Sequence, residues 1–227
     1  MGSYVFSVDR VEVRNCRSKG DHNDSDWLTL ILKVNDSARS VGPFNIGSNV
    51  HHGDILTGPW WMGPVEINDS DSVSVIYTIT NLSHDNINDQ RANALKVESA
   101  ILGGIVAAVG GEIGAIIGGI MAGLGELFGW IITQANPNCN GEVLHDTLTY
   151  PPGELVRQGT PHSVTNSYTA ISPSECGNSP QTDLTYSVID PHSLKQFLAM
   201  HHKDGRQGLR SILPVGMSLK TFESMHL

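Results

Sequence analysis

The sequence predicts a mainly β fold: an antiparallel β-sandwich of C2- or Ig-like type, with an inserted glycine-rich helix or helical hairpin and a short C-terminal helical extension. Two observations point to the sandwich. Short runs with strict apolar–polar alternation recur in both halves of the chain, and clusters of Pro, Gly, Asn, Asp and Ser separate them. A third observation points to the insert. Residues 99–132 hold 10 of the 24 glycines and only 2 of the 37 charged residues, and 21 of those 34 residues are apolar. The chain is thus a polar β-rich body with one apolar segment inside it. The domain plan that follows is a sandwich over 1–189, interrupted by the insert at 89–135, and an extension over 190–227.

The elements follow in order. Val11 and Val13 fit a short strand that ends near Cys16. From Trp27 to Val34, Leu28, Leu30, Leu32 and Val34 share one face, with Thr29 and Lys33 opposite. That period of two is the mark of a half-buried strand. Val73, Val75, Tyr77 and Ile79 alternate with Ser74, Ile76, Thr78 and Thr80 in the same way. Between these runs, 18–26, 35–43 and 58–64 read as turns. Asp89 to Glu98 reads as a helix start, and Asn136-Pro137-Asn138 closes the apolar run. Strand character returns at Thr147–Tyr150, Val164–Ile171 and Asp183–Ile189. In the extension, Ser193-Leu194-Lys195-Gln196-Phe197 recurs as Ser218-Leu219-Lys220-Thr221-Phe222.

The glycines of the insert are spaced in fours: Gly110, Gly114 and Gly118, then Gly119 and Gly123. On a helix each set lies on one face, and small residues at that spacing let backbones approach closely. In water each glycine costs about 1 kcal/mol relative to alanine, so close contact is what the spacing serves. One continuous helix of 34 residues would span about 51 Å, more than a bilayer core of about 30 Å. Glu112 and Glu126 interrupt the run and would be costly facing lipid. A core helix, a membrane-inserting hairpin and a subunit contact all fit this pattern.

The bulk numbers exclude some functions. A net charge of −9 with 14 basic residues disfavours nucleic-acid binding, which depends on neutralising phosphates. Charged residues at 16% exclude a coiled coil or a disordered acidic chain. The N-terminus carries no classical signal peptide, and secreted and cytoplasmic locations both stay open. No P-loop, dinucleotide fingerprint, nucleophile elbow or HExxH motif occurs, so no catalytic residue is assigned.

Other candidates are local. Asp21, Asp24 and Asp26 fall in one loop, and Asp69 and Asp71 fall just before a later strand. Two acidic loops at one end of a sandwich would suit calcium; no other cofactor is expected. His51 and His52 with Asp54 would need to converge to hold zinc. Cys139 and Cys176 lie in turns and could form a disulfide, whereas Cys16 reads as a buried thiol. Trp60 and Trp61, between Gly58-Pro59 and Gly63-Pro64, form an aromatic turn that could meet a membrane interface.

The order of these features resembles a group of uncharacterised microbial β-sandwich proteins with a similar glycine-rich apolar insert. It runs from Cys16 and the acidic loop through Trp27-Leu28-Thr29-Leu30 and Ile76-Tyr77-Thr78-Ile79-Thr80-Asn81 to the insert. Asn138-Cys139-Asn140-Gly141 and Glu175-Cys176-Gly177-Asn178-Ser179 follow. The resemblance covers residues 5–189; it implies the architecture and transfers no catalytic residue. The acidic loop is also similar to that of C2 domains. The leading expectation is a non-enzymatic, membrane-interacting protein of pore-forming or toxin-like kind, with lipid as partner and acidification as trigger. The alternatives are a self-assembling module, or an enzyme acting on a small apolar substrate between helix and sandwich.

Overall fold

In the computed structural model, residues 1–18, 24–82, 87–107, 140–170 and 179–190 are described. They form eight strands and two helices: β1 (Gly2–Asn15), β2 (Asp24–Val34), β3 (Ser37–Val50), β4 (Ile55–Ile67), β5 (Val73–Asn81), α1 (Ile87–Ala107), β6 (Gly141–Tyr150), α2 (Glu154–Gln158), β7 (His162–Thr169) and β8 (Gln181–Ile189). All strand pairs are antiparallel. They build two four-stranded sheets, one in the order β4-β1-β8-β7 and the other β3-β2-β5-β6. The mainly β sandwich expected from the alternation is what forms.

The alternation explains the core. Phe6, Val8, Val11 and Val13 of β1, with Leu184, Tyr186 and Val188 of β8, point inward from the first sheet. Leu28, Leu30 and Leu32 of β2, with Val73, Val75, Tyr77 and Ile79 of β5, point inward from the second. Successive strand residues face opposite sides, so each run of alternate apolar residues delivers one wall of the core.

Two stretches read as turns are strands. Residues 37–50 and 55–67 form β3 and β4, and residues 58–64 lie wholly within β4. Their prolines misled the reading, because proline cannot donate to a ladder and is excluded from central strands. Here Pro43 sits on β3, and Pro59 and Pro64 on β4. Both strands are sheet edges, where a missing donor costs little. Trp60 and Trp61 are therefore strand residues paired opposite Val8 and Ser7. Trp60 packs against the main core, and Trp61 is 1% exposed, so it offers almost no surface to a bilayer in this arrangement.

The helix start expected near Asp89 is the first turn of α1. Residues 108–139 lie outside the described residues, and with them Gly110, Gly114, Gly118, Gly119, Gly123, Glu112, Glu126 and Cys139. The same holds for Asp21, Cys176 and the extension over 191–227. Among the described residues, no helix is long and apolar enough to cross a membrane.

Candidate functional site: a helix-bearing sheet face and a polar sandwich end

Every residue of β5, and all of β2 except Val34, is buried, which a sheet with one solvent face would not show. Part of the reason is α1. It lies on the outer face of the second sheet, against β3 and β2. Trp27, Ile31 and Ile76 occupy outward positions there, where alternation alone would place polar residues. Ile31 and Ile76 pack with Val97 and Ile101, all at most 1% exposed, with Ala38 and Leu102 at the margin. Trp27 packs with Leu82 and Ala94, and its indole Nε1 donates to Gln90 Oε1 at 3.2 Å. Positions 90, 94, 97 and 101 follow helical spacing, so one stripe makes the seam. Ser40 donates a short hydrogen bond to Glu98 at the same seam. The opposite side of α1 is open: Arg91, Lys96 and Ser99 are exposed, and Leu95 is 44% exposed.

The seam joins the sandwich to the apolar segment, because α1 carries the first nine residues of that segment, 99–107. Between Ile31, Ile76, Val97 and Ile101 the described residues are in contact and fully buried. A substrate cavity expected between helix and sandwich is not what these four residues form. The sequence signal for the seam was present in Trp27, Ile31 and Ile76, three bulky apolar residues on the polar side of otherwise regular strands.

The second site closes one end of the sandwich. Asp24 is 1% exposed and accepts three hydrogen bonds. Arg17 N donates to Oδ2 at 2.8 Å, Ser18 N to Oδ1 at 3.0 Å, and Asn81 Nδ2 to Oδ1 at 2.8 Å. Asn81 also accepts from Ser25 N at 3.1 Å and donates to Ser18 Oγ at 3.3 Å. The buried Arg17 donates from Nη1 to the Glu142 carbonyl at 2.7 Å. Gly141 is needed there, since a Cβ would stand 2.6 Å from the guanidinium. Asp26, also 1% exposed, differs: its Oδ1 is buried with no hydrogen-bond partner. Burial, and next the charge of Asp24, push its carboxyl well above the ordinary value of 3.8.

This geometry bears on calcium. β2 and β5 are neighbouring antiparallel strands, with Asp26 opposite Asn81 and Val34 opposite Val73. The loops before them therefore lie at opposite ends of the sheet, about 26 Å apart by strand rise. Asp69 and Asp71 are not brought to Asp24 and Asp26. Asp71 instead accepts from Asn68 N at 2.8 Å and Asn35 Nδ2 at 2.9 Å, contacts that hold its carboxyl below the usual range. At Asp24 three N–H donors already engage the oxygens that a cation would need, and burial disfavours the charged form of Asp26. His51 Nδ1 and Asp54 Oδ2 are 3.6 Å apart in the exposed turn after β3. Among the described residues, no group of three or more His, Cys, Asp and Glu could hold a metal ion.

Cys16 lies beside this end as a buried free thiol, as expected, with Sγ donating to the Val50 carbonyl at 3.6 Å. Burial first, then Asp24, Asp26 and Asp54, push it up to about 12. The thiolate is the nucleophile, so Cys16 should resist alkylation in the native state. Mass-spectrometric mapping after iodoacetamide treatment should find Cys16 unlabelled until denaturant is added. Labelling at the rate of a free peptide thiol would contradict the buried placement.

A third polar group was missed in the sequence. Four of the five tyrosines gather around Asp146, across the open side between β6 and β7. Tyr168 donates a short hydrogen bond to Asp146, and the Tyr150 hydroxyl bonds that of Tyr186. The Tyr77 and Tyr186 rings stand 5.5 Å apart. Burial raises all four hydroxyls above their ordinary value of 10.0, so they remain protonated. The Tyr168–Asp146 and Tyr150–Tyr186 bonds link the two sheets, whereas the buried Tyr77 hydroxyl has no hydrogen-bond partner among the described residues.

No family model matches the chain, and no curated protein matches it. Among solved structures it is similar to a C2 domain of a plant extended synaptotagmin 1. The identity is 7% and the TM-score 0.29, over 83% of this chain and 92% of that one. A likeness this weak carries no argument, and the sandwich stands on its own strand pairing.

Proposed function

We propose that the protein is a non-enzymatic, membrane-interacting β-sandwich whose glycine-rich apolar segment is sheltered on the sandwich and enters a bilayer on release. The observation that carries the reading is the placement of α1. It holds the start of the apolar segment on an outer sheet face through a few side chains, outside the main core. Burying Val97 and Ile101 stabilises docking by roughly 3–6 kcal/mol. That is strong enough to keep the arm down and weak enough for a bilayer to replace. The glycine spacing at 110, 114, 118 and at 119, 123 then serves helix contact within lipid. Pore formation of a toxin-like kind is the specific form we propose, on the architecture that the resemblance to insert-bearing microbial sandwiches implies.

Acidification is the trigger. It neutralises Glu112 and Glu126, whose charge opposes entry into lipid. Leakage of dye from anionic liposomes should therefore rise as pH falls to about 5, because an apolar setting favours the protonated form of a carboxyl. The Gly114→Leu/Gly118→Leu variant should lose it, because bulk at those positions prevents close helix contact. Absence of both leakage and vesicle flotation at every pH would reject the proposal. Flotation without leakage would retain membrane binding and reject the pore.

A further inference from the structure

We propose that β7 is a strand-addition edge that pairs antiparallel with the β7 of a second copy of this chain, joining two four-stranded sheets into one. The inference rests on the sheet edges and is independent of the membrane reading.

The sandwich has four edge strands, β4 and β7 in one sheet and β3 and β6 in the other. Unpaired edges invite pairing with another chain, and proteins blunt them with proline, bulges and charge. Three of these edges are blunted. β4 carries Pro59 and Pro64 and two register shifts against β1. β3 carries Pro43 and three register shifts against β2. β6 carries Glu142 and Asp146 and one register shift against β5. β7 has none of these devices. Its sequence, His-Ser-Val-Thr-Asn-Ser-Tyr-Thr, contains no proline, no glycine and no Asp, Glu, Lys or Arg. It pairs with β8 over eight consecutive residues without a shift.

The accessible side is regular too. Ser163, Thr165, Ser167 and Thr169 are exposed, and His162, Val164, Asn166 and Tyr168 are half-buried. The Tyr168–Asp146 hydrogen bond ties the strand to the opposite sheet. Among the described residues no strand pairs with its free side.

Charge selects the occupant. The chain carries a net −9, so most approaches of two copies are repulsive. In a two-fold antiparallel pair, residues near the axis lie opposite their own copies. A charge there would face itself, and β7 has no permanently charged side chain. Its Thr and Ser row also suits pairing with itself, since cross-strand hydroxyl pairs stabilise sheets. One such pair, Thr165 with Thr185 at 2.8 Å, already runs along this sheet.

The test is mass by light scattering from about 1 to 100 µM, the range in which edge pairing of moderate affinity is visible. The full chain should approach twice 24.5 kDa as concentration rises. The Thr165→Lys/Ser167→Lys variant should stay at 24.5 kDa while its circular dichroism spectrum remains that of the folded sandwich. Val156→Lys, an exposed change on α2, should leave the dimer intact. Amide exchange over 162–169 should slow with concentration in the parent chain alone. A parent chain that stays monomeric would overturn the proposal. So would a dimer that survives the two lysines, since another surface would then hold it.

Discussion

Asp24→Ala is expected to lower stability by about 3–5 kcal/mol, among the largest effects of any single change outside the apolar core. The substitution removes one acceptor group and leaves three donors without it: Arg17 N, Ser18 N and Asn81 Nδ2. Those contacts join the end of β1, the start of β2 and the end of β5, so the loss opens a sheet end rather than one bond. For a chain of this length the melting temperature should fall by roughly 10 °C. Asp24→Asn should cost about half as much, because it keeps one acceptor oxygen and turns the amide toward a donor. Thermal melts followed by circular dichroism would read both. Equal stability of Asp24→Ala and the parent chain would contradict the buried network.

Asp26, two residues on, should behave oppositely. Its folded carboxyl titrates above the unfolded value, so the folded state binds the extra proton. The stability it contributes is fully present below the unfolded value near 3.8 and is lost as pH rises through the raised folded value. Asp26→Asn keeps the shape and removes the titration. The variant should therefore melt above the parent chain at about pH 8 and converge with it near pH 4. A parallel pH dependence in the two proteins would show that Asp26 is not the proton-linked group.

These two aspartates also show what a single sequence withholds. The strand identities of β2, β5 and β8 were legible, because period-two alternation is a local property. The strand order was not. An acidic loop before one strand and another before a later strand look alike in sequence. Only the pairing of Asp26 with Asn81 and Val34 with Val73 reveals that they lie at opposite ends. β3 and β4 were hidden for a different reason. Pro43, Pro59 and Pro64 suppress the local strand signal, and edge status, which tolerates them, depends on the whole sheet. The tyrosine group was unreadable because its members come from β5, β6, β7 and β8. The outer helix seam was readable in part: Trp27, Ile31 and Ile76 break the polar face of their strands at the positions where α1 lands.

That seam supports the second large effect. Ile31→Thr/Ile76→Thr is expected to undock α1 while leaving the sandwich folded. Both side chains point away from the main core, and threonine keeps the β-branched shape that strands favour. The loss of apolar contact to Val97 and Ile101 should weaken docking by about 3 kcal/mol, or roughly 100-fold in the undocked population. Trypsin reads this directly, because Arg91 and Lys96 lie in α1 and are cut only when the helix opens. Cleavage there should accelerate by about that factor if opening is the limiting equilibrium. The decisive comparison is with membranes. These substitutions are on the sheet, so the sequence of the apolar segment is untouched. If the sandwich shelters that segment, the variant should bind liposomes at neutral pH, where the parent chain requires acid. Faster trypsin cleavage without any gain in liposome binding would separate the two ideas: α1 would be a releasable arm, and its release would not be what delivers the protein to a bilayer.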